Sequence, residues 1–595
     1  MKKINLSSKK KFWFGWLAFL VANLLIILIT LLVKAANPEP NVEAWSSQAW
    51  SSAGLFLIKT VYVSNFLAVT PLLLATIVFV GYMIIGRGVK DSFLGALKTA
   101  IGFLLLGIGS GALVSLARPV FEAIRKLGSS AEIIPLDPYF SLSQSQEFLA
   151  HISQNIKSGI DYSSLFTFTL LIAFIVNIIF VATKRWTNTN ALMITGHIML
   201  QQSAVVTSVF YVLLFRQIPI VDGELNAGSQ AGLVLVSGLF LGIYWASATT
   251  ATLKPTNLVT QNAGFAVGHQ QMLGILTSYK LGRFFGKKED TAENRKLPSY
   301  LKIFEDNVFT QTLIVFVLFV ILFIIIIIIQ GSKTSVLNPN WIGFTQQSGL
   351  SSWNANLYSG ANFIFNIIGG ALRIVASLLV IITGVRMFIT ELQQSFHGIS
   401  EKIIPGAVVA VDVAATYGFS INSVTYGFVS GVIGQFIAVG IMIGISAIPR
   451  NTYSNIAIPL FITLFFNSGS LGIYANASGG WKAAAIVPGL IGFLEIIVVS
   501  IATKFLSNVA IADGINNPVA QGYIGMSDWN LFFGLLIMIS AYSVPVAWIF
   551  VFVAMVALVV LAQIVDSGNQ SKKTFLQKLF KIKVDNLEEA IAQTS

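Results

Sequence analysis

No cysteine occurs in this 595-residue chain. That excludes disulfides, thiolate metal sites and a cysteine nucleophile from anything the chain does by itself. Charge is scarce too: Asp, Glu, Lys and Arg make up 10% of residues, against about 25% in a soluble globular domain. Histidine occurs only 4 times. Neither a GxxxxGK[ST] phosphate loop nor an HExxH metal motif is present, so the sequence points to no ATP chemistry, no metal and no cofactor.

Apolar residues fill the space left. They account for 55% of the chain, with mean hydropathy +0.78. Repeated apolar runs long enough to cross a bilayer predict an all-α polytopic membrane protein, with about 11–12 transmembrane helices plus re-entrant hairpins. The net charge of +12 is then read through topology, not as affinity for nucleic acid. Its lysines and arginines gather in short loops and at both ends, which marks those as cytoplasmic.

Lys2, Lys3, Lys9, Lys10 and Lys11 precede an apolar run over 12–33. This run exceeds the about 7–15 apolar residues of a secretory signal and reads as an uncleaved anchor. The region 35–60, with Pro38, Glu39, Pro40 and Glu43, reads as external. A span over 65–85 follows, and then an apolar segment (94–115) containing Gly107, Gly109, Ser110 and Gly111. Two accounts fit that segment: a broken piece lining a cavity, or close helix packing through small residues. Residues 116–160 read as surface or interfacial helices. Further spans are expected at 165–182, 190–215, 232–250, 310–329, 361–389, 403–419, 424–449, 455–472, 483–502 and 530–565, the last holding a kinked span plus an interfacial piece. The stretch 330–360 belongs outside. Basic loops at Lys184-Arg185 and from Arg283 to Lys302, and the lysine-rich tail, mark the cytoplasm. The organisation expected is an anchor and linker (1–60), a membrane domain (61–565) and a basic tail (566–595).

Two copies of a short pattern hint at an internal repeat. Gly81 aligns with Gly384, Ser92-Phe93-x-Gly95 with Ser395-Phe396-x-Gly398, and Ile101 with Ile404. That register sets Gly109 against Asp412. Weak similarity between halves with interrupted segments at matching places points to an inverted-repeat transporter with a site near the bilayer midplane.

Three polar features stand in apolar surroundings. In Gly196-His197-Ile198-Met199-Leu200-Gln201-Gln202, His197 and Gln201 share a helix face. Residues 250–280 are too polar to span and read as a re-entrant hairpin with Gly268-His269-Gln270-Gln271 at its polar tip. Asp412 is a lone carboxylate in Pro405-Gly406-Ala407-Val408-Val409-Ala410-Val411-Asp412, and an intramembrane ionisable residue is a functional site by default. Glutamine amides and imidazoles both donate and accept, and a carboxylate accepts from hydroxyls. The set therefore suits a polyhydroxylated solute. It also suits an ion-coupled carrier with Asp412 as the proton site, or a non-transporting receptor. His151 and His397 read as structural.

The chain resembles the ascorbate-family integral membrane component (enzyme IIC, ascorbate–galactitol superfamily) of the phosphoenolpyruvate-dependent sugar phosphotransferase system. The matching stretches are Gly-Phe-Leu-Leu-Leu-Gly-Ile-Gly-Ser-Gly (102–111), Thr-Gly-His-Ile-Met-Leu-Gln-Gln (195–202), Lys-Pro-Thr (254–256), Gly-Phe-Ala-Val-Gly-His-Gln-Gln (264–271), Gly-Lys-Lys-Glu-Asp (286–290), Val-Arg-Met-Phe-Ile-Thr-Glu-Leu (385–392), Ile-Pro-Gly-Ala-Val-Val-Ala-Val-Asp (404–412) and Phe-Phe-Asn-Ser (465–468). They fall in family order. The resemblance implies a homodimeric, multi-pass plasma-membrane permease with inverted repeats and an elevator-like core. It implies that His197, Gln201, His269, Gln270 and Asp412 contact L-ascorbate or a related sugar acid. Ser110 and Tyr139 come from stretches that match less fully. The family's phosphoryl donor is a cysteine on enzyme IIB. A cysteine-free chain cannot contain that domain, so IIB and IIA are implied as separate proteins, and this chain as a group-translocating subunit without a catalytic residue. The N-terminal anchor, the 330–360 insertion, the tail and His397 depart from the family pattern.

Overall fold

The computed structural model describes residues 8–584 apart from 63–68, 126–131, 153–161, 219–224, most of 296–362, 449–452 and scattered positions singly or in pairs. The expected span at 310–329, nearly all of it, and the external stretch 330–360 lie outside the described residues. In a bilayer the backbone must pair within the chain, and helices do this most simply. Eight helices among the described residues are long and apolar enough to cross a membrane.

Helix α1 (Ser8–Ala36) covers the apolar run over 12–33. Helix α2 (Ser47–Phe56) follows, capped by the Ser46 hydroxyl, which accepts from the Ala49 amide at 3.1 Å. Helix α3 (Thr70–Ile85) ends at Gly86, whose φ of 91° supplies the left-handed turn. Helix α4 (Val89–Arg125) is continuous through Gly107, Gly109 and Gly111. The broken-segment account of 94–115 is therefore wrong there, and packing through a small residue is seen at Gly102. A β-carbon on Gly102 would lie 2.6 Å from the Gly384 carbonyl oxygen on a neighbouring helix.

The remaining elements of the first half are β1 (Ile133–Leu136), α5 (Pro138–Ala150), α6 (Ser164–Ala182), α7 (Lys184–Thr187), β2 (Ala191–Met193), α8 (Gly196–Phe210), α9 (Ala227–Val259), β3 (Ala266–Val267) and α10 (Met272–Gly282). The second half runs α11 (Phe363–Ile403), β4 (Val408–Val411), a 3-10 turn (Val413–Phe419), α12 (Ile421–Ser446), β5 (Ile456–Pro459), α13 (Ser468–Ala512), α14 (Gly534–Ser540), α15 (Val544–Ile564) and α16 (Phe575–Leu579). Wider π turns, Thr463–Asn467 and Asp528–Phe533, lead into α13 and α14.

The two halves repeat one order of elements and exchange their central strands. Each half has a long helix (α4 or α11), a strand ending in aspartate (β1-Asp137 or β4-Asp412), and a membrane helix (α6 or α12). A second strand (β2 or β5) comes next, then a pair of packed helices. In the second half that pair is one element, α13, broken at Gly480 with φ 71° and ψ −167°. Strand β4 lies between β2 and β3 of the first half, all parallel. Reciprocally, β1 pairs in parallel with β5 and bridges through Leu136 to Tyr523.

Setting Asp137 against Asp412 brings Val89–Arg125 onto Phe363–Ile403 nearly end to end. This corrects the sequence register. Gly81–Ile101 crosses the α3–α4 turn, whereas Gly384–Ile403 is unbroken helix, and Gly109 is a helix residue with no likeness to Asp412. Residues 133–150 also depart from the surface reading. Ile134, Leu136, Phe140, Phe148 and Leu149 are buried in the main core; β1 is flanked by β5 on one side and by the Leu136–Tyr523 bridge on the other. The expected long span at 530–565 divides between α14 and α15, with Ser543 capping the second through the Val546 amide.

Candidate functional site

The site is built where three parallel strands end. Strand β2 runs into Thr195-Gly196 and presents His197 in the first turn of α8. Gly196 allows a close approach there, since a β-carbon would sit 2.5 Å from the Leu392 side chain of α11 and push it aside. Strand β3 runs into Gly268-His269-Gln270, and the Gly268 amide donates to the Val411 carbonyl at 2.8 Å. Strand β4 ends at Asp412. Parallel neighbours send their carboxyl ends to the same edge, so residues far apart in the chain converge.

His197 Nε2 lies 3.3 Å from Asp412 Oδ2, and His269 Nε2 lies 4.0 Å from Asp412 Oδ1. The side chains differ in access: 34% exposed for Asp412, 15% for His197 and 5% for His269. The carboxylate is the open wall, and the imidazoles are enclosed. Asp412 also caps the 3-10 turn, accepting from the Ala414 amide at 2.9 Å. This N-cap bond fixes the plane of the carboxylate. Gln270 Nε2 donates to Gln201 Oε1 at 2.8 Å, so the two glutamines hold each other in place.

A surrounding layer fixes orientation. Gln202 donates to the His269 carbonyl at 3.3 Å and accepts from the Trp245 indole. Gln271 Nε2 donates to the Phe466 carbonyl and to Ser470 Oγ, both at 3.1 Å. A carbonyl only accepts, so this end of the Gln271 amide is nitrogen and the other end is oxygen. That oxygen faces His269 Nδ1 at 2.5 Å, so Nδ1 carries the proton. When neutral, His269 then presents Nε2 as an acceptor on the Asp412 side. His197 donates from Nε2 to the carboxylate, and in the neutral ring its Nδ1 is an acceptor. His197 Nδ1 and Gln270 Oε1 are buried with no partner among the described residues. Leaving such atoms unpaired costs about 1–3 kcal/mol each, which a hydroxylated ligand would offset.

The structure thus brings His197, Gln201, His269, Gln270 and Asp412 together. Tyr139 follows β1 in the other sheet, where its amide donates to Asp137 at 2.8 Å. Ser110 lies in α4 with its side chain outside the described residues, as does that of His397 in α11. His151 is exposed at the end of α5. The expected hairpin is corrected in detail. Helix α9 continues through Pro255 to Val259, the reversal falls at Gln261 and Asn262 with φ of 54° and 66°, and His269 stands on the returning arm, not at the tip. Sequence reasoning missed Trp245 as the partner of Gln202, and Phe466, which stacks on His269 at 6.5 Å. The Phe-Phe-Asn-Ser stretch was the available signal for the latter.

A polar cluster at strand ends, among helices long and apolar enough to cross a membrane, is the arrangement of a polytopic permease. Residues 65–526 match the model of the PTS system sugar-specific permease component, and the chain belongs to that family. It is also 52% identical to the ascorbate-specific PTS system EIIC component of Mycoplasma pneumoniae, over 98% of this chain and 99% of the relative.

Proposed function

We propose that this protein imports L-ascorbate, with coupled phosphorylation by a separate phospho-enzyme IIB that is itself charged through enzyme IIA. The observation that carries the reading is the Asp412 carboxylate between two imidazoles, with His197 Nδ1 and Gln270 Oε1 left as buried acceptors. Acceptors of this kind pair with the hydroxyls of a sugar acid, and the name of the 52% identical relative specifies ascorbate. The chain needs no nucleophile for this. It holds one ligand hydroxyl in line with the phosphoryl group, the P–S bond on the IIB cysteine breaks, a P–O bond forms, and the hydroxyl proton leaves. Phosphorylation traps the product inside.

The same reading includes a homodimer, two inverted repeats, an elevator-like movement of the site-bearing core, and cytoplasmic termini. The repeated element order and the basic ends support it. Family membership favours it over an ion-coupled carrier. The test is uptake of labelled ascorbate into vesicles with and without phosphoenolpyruvate and the soluble components. Accumulation of ascorbate phosphate only with the full set is expected. Accumulation of unphosphorylated ascorbate driven by a proton gradient would refute the coupling.

A further inference from the structure

Helices α6 and α15 both end beside one exposed patch that the transport reading does not use. After α6 comes the short turn α7, where Lys184, Arg185 and Trp186 are all exposed, Trp186 by 79%. After α15 the chain folds back into α16, where Phe575 is 76% exposed and Leu579 and Phe580 are each 59% exposed. Five lysines stand between positions 572 and 583, and no acidic residue interrupts them.

These side chains are held in place. Gln563 joins the two elements, donating to the Trp186 carbonyl and accepting from the Thr574 hydroxyl, both at 2.6 Å. Gln577, fully buried, donates to the Val565 carbonyl at 2.9 Å and closes a capping box with Thr574. Lys581, with φ 52°, ends the turn, and the Ile582 amide returns to the Gln577 carbonyl at 2.9 Å. An ordered scaffold therefore displays aromatic and aliphatic side chains outward, which costs free energy if they face only water.

We propose that this patch is seated in the headgroup layer of an anionic membrane leaflet. Its depth follows from continuity, since α6 and α15 are membrane-crossing helices and the patch begins within a few residues of their ends. Tryptophan and phenylalanine with flanking lysines are the composition that partitions to that layer: rings enter the acyl boundary while ammonium groups reach phosphate. Unbroken positive charge selects anionic lipid over zwitterionic lipid. The patch also connects to the transport site. Asn190, at the start of β2, donates to Ser567 at 3.0 Å, and Lys254 of α9 pairs with Asp566. The leaflet thereby anchors the entry to the strand that presents His197.

The absence of cysteine makes the test direct. Phe580→Cys in the full chain is spin-labelled and reconstituted in phosphatidylglycerol–phosphatidylcholine vesicles or in phosphatidylcholine alone, with Lys288→Cys as an exposed reference. Collision of the Phe580→Cys label with a water-soluble nickel complex is expected to fall about threefold or more in the anionic vesicles, relative to the reference, while collision with oxygen rises. Adding Lys578→Glu and Lys581→Glu should abolish that lipid dependence. Equal nickel collision in both vesicle types would overturn the proposal. So would protection that appears only when the soluble phosphocarrier proteins are added, because the patch would then be a protein-docking surface.

Discussion

The two small sheets share one backbone plan and have opposite chemistry at their ends. In the first, β4 ends at Asp412 between strands leading to His197 and His269. Counting along the paired strands, the second sheet places Asp137, Ile462 and Gly525 at the corresponding positions. Asp137 is 1% exposed and spends its carboxylate on the Tyr139 and Phe140 amides at 2.8 and 3.3 Å. Gly525, with φ 81°, has Leu136 and Thr463 packed where a side chain would go. The second sheet is closed by packing, with its aspartate serving only as a helix cap. The first keeps the cap and adds two imidazoles and unpaired acceptors. The fold supplies the carboxylate at both places, and the neighbours decide whether it is enclosed or open.

Several substitutions sharpen or break this contrast. Asp412→Asn should have the largest effect on ligand, weakening ascorbate binding by about 100-fold through loss of charged hydrogen bonds of about 1.5–3 kcal/mol; isothermal titration on the folded protein would show it. Near-normal affinity would remove Asp412 from the pocket. His197→Ala, which takes away both the carboxylate's donor and a free acceptor, should cost roughly 30-fold in the same titration. Gln271→Leu spares every proposed ligand contact but frees the His269 tautomer, so a loss of about tenfold is expected. Trp245→Phe removes the indole donor to Gln202 together with part of a fully buried ring, and should weaken binding by about 1 kcal/mol, or a few-fold. Asp137→Ala is the converse test. It should lower thermal stability by about 0.5–2 kcal/mol and leave ascorbate affinity unchanged. A comparable loss of affinity would mean the two sheets do not divide the work as described.

Much of this was legible beforehand, for local reasons. Membrane class follows from summed hydropathy, and His197, Gln201, His269, Gln270 and Asp412 stand out because polar groups in hydrocarbon are expensive. The strands were not legible. Ala266–Val267 and Ala191–Met193 are too short to show a period of two, and each exists only because β4 lies beside it. The glycine run of α4 misled because glycine weakens an isolated helix by about 1 kcal/mol per residue. Inside a bilayer, breaking the helix would strand its amides at greater cost. The region around Tyr139 looked like surface because it carries several polar residues. Asp137, Ser141 and Gln144 are in fact buried, Asp137 as the cap of α5.

By itself the sequence determined that this protein lives in a bilayer, which polar groups it carries there, and that it has no thiol of its own with which to pass phosphate. Those properties are sums over neighbouring residues. Tertiary structure alone decided that three strand ends meet, that the Gln271 amide sets which nitrogen of His269 is protonated, and that Asp412 rather than Asp137 faces an opening. These depend on pairings between residues hundreds of positions apart, such as Met193 with Ala410, and the register of a parallel strand pair is chosen by how the surrounding helices pack.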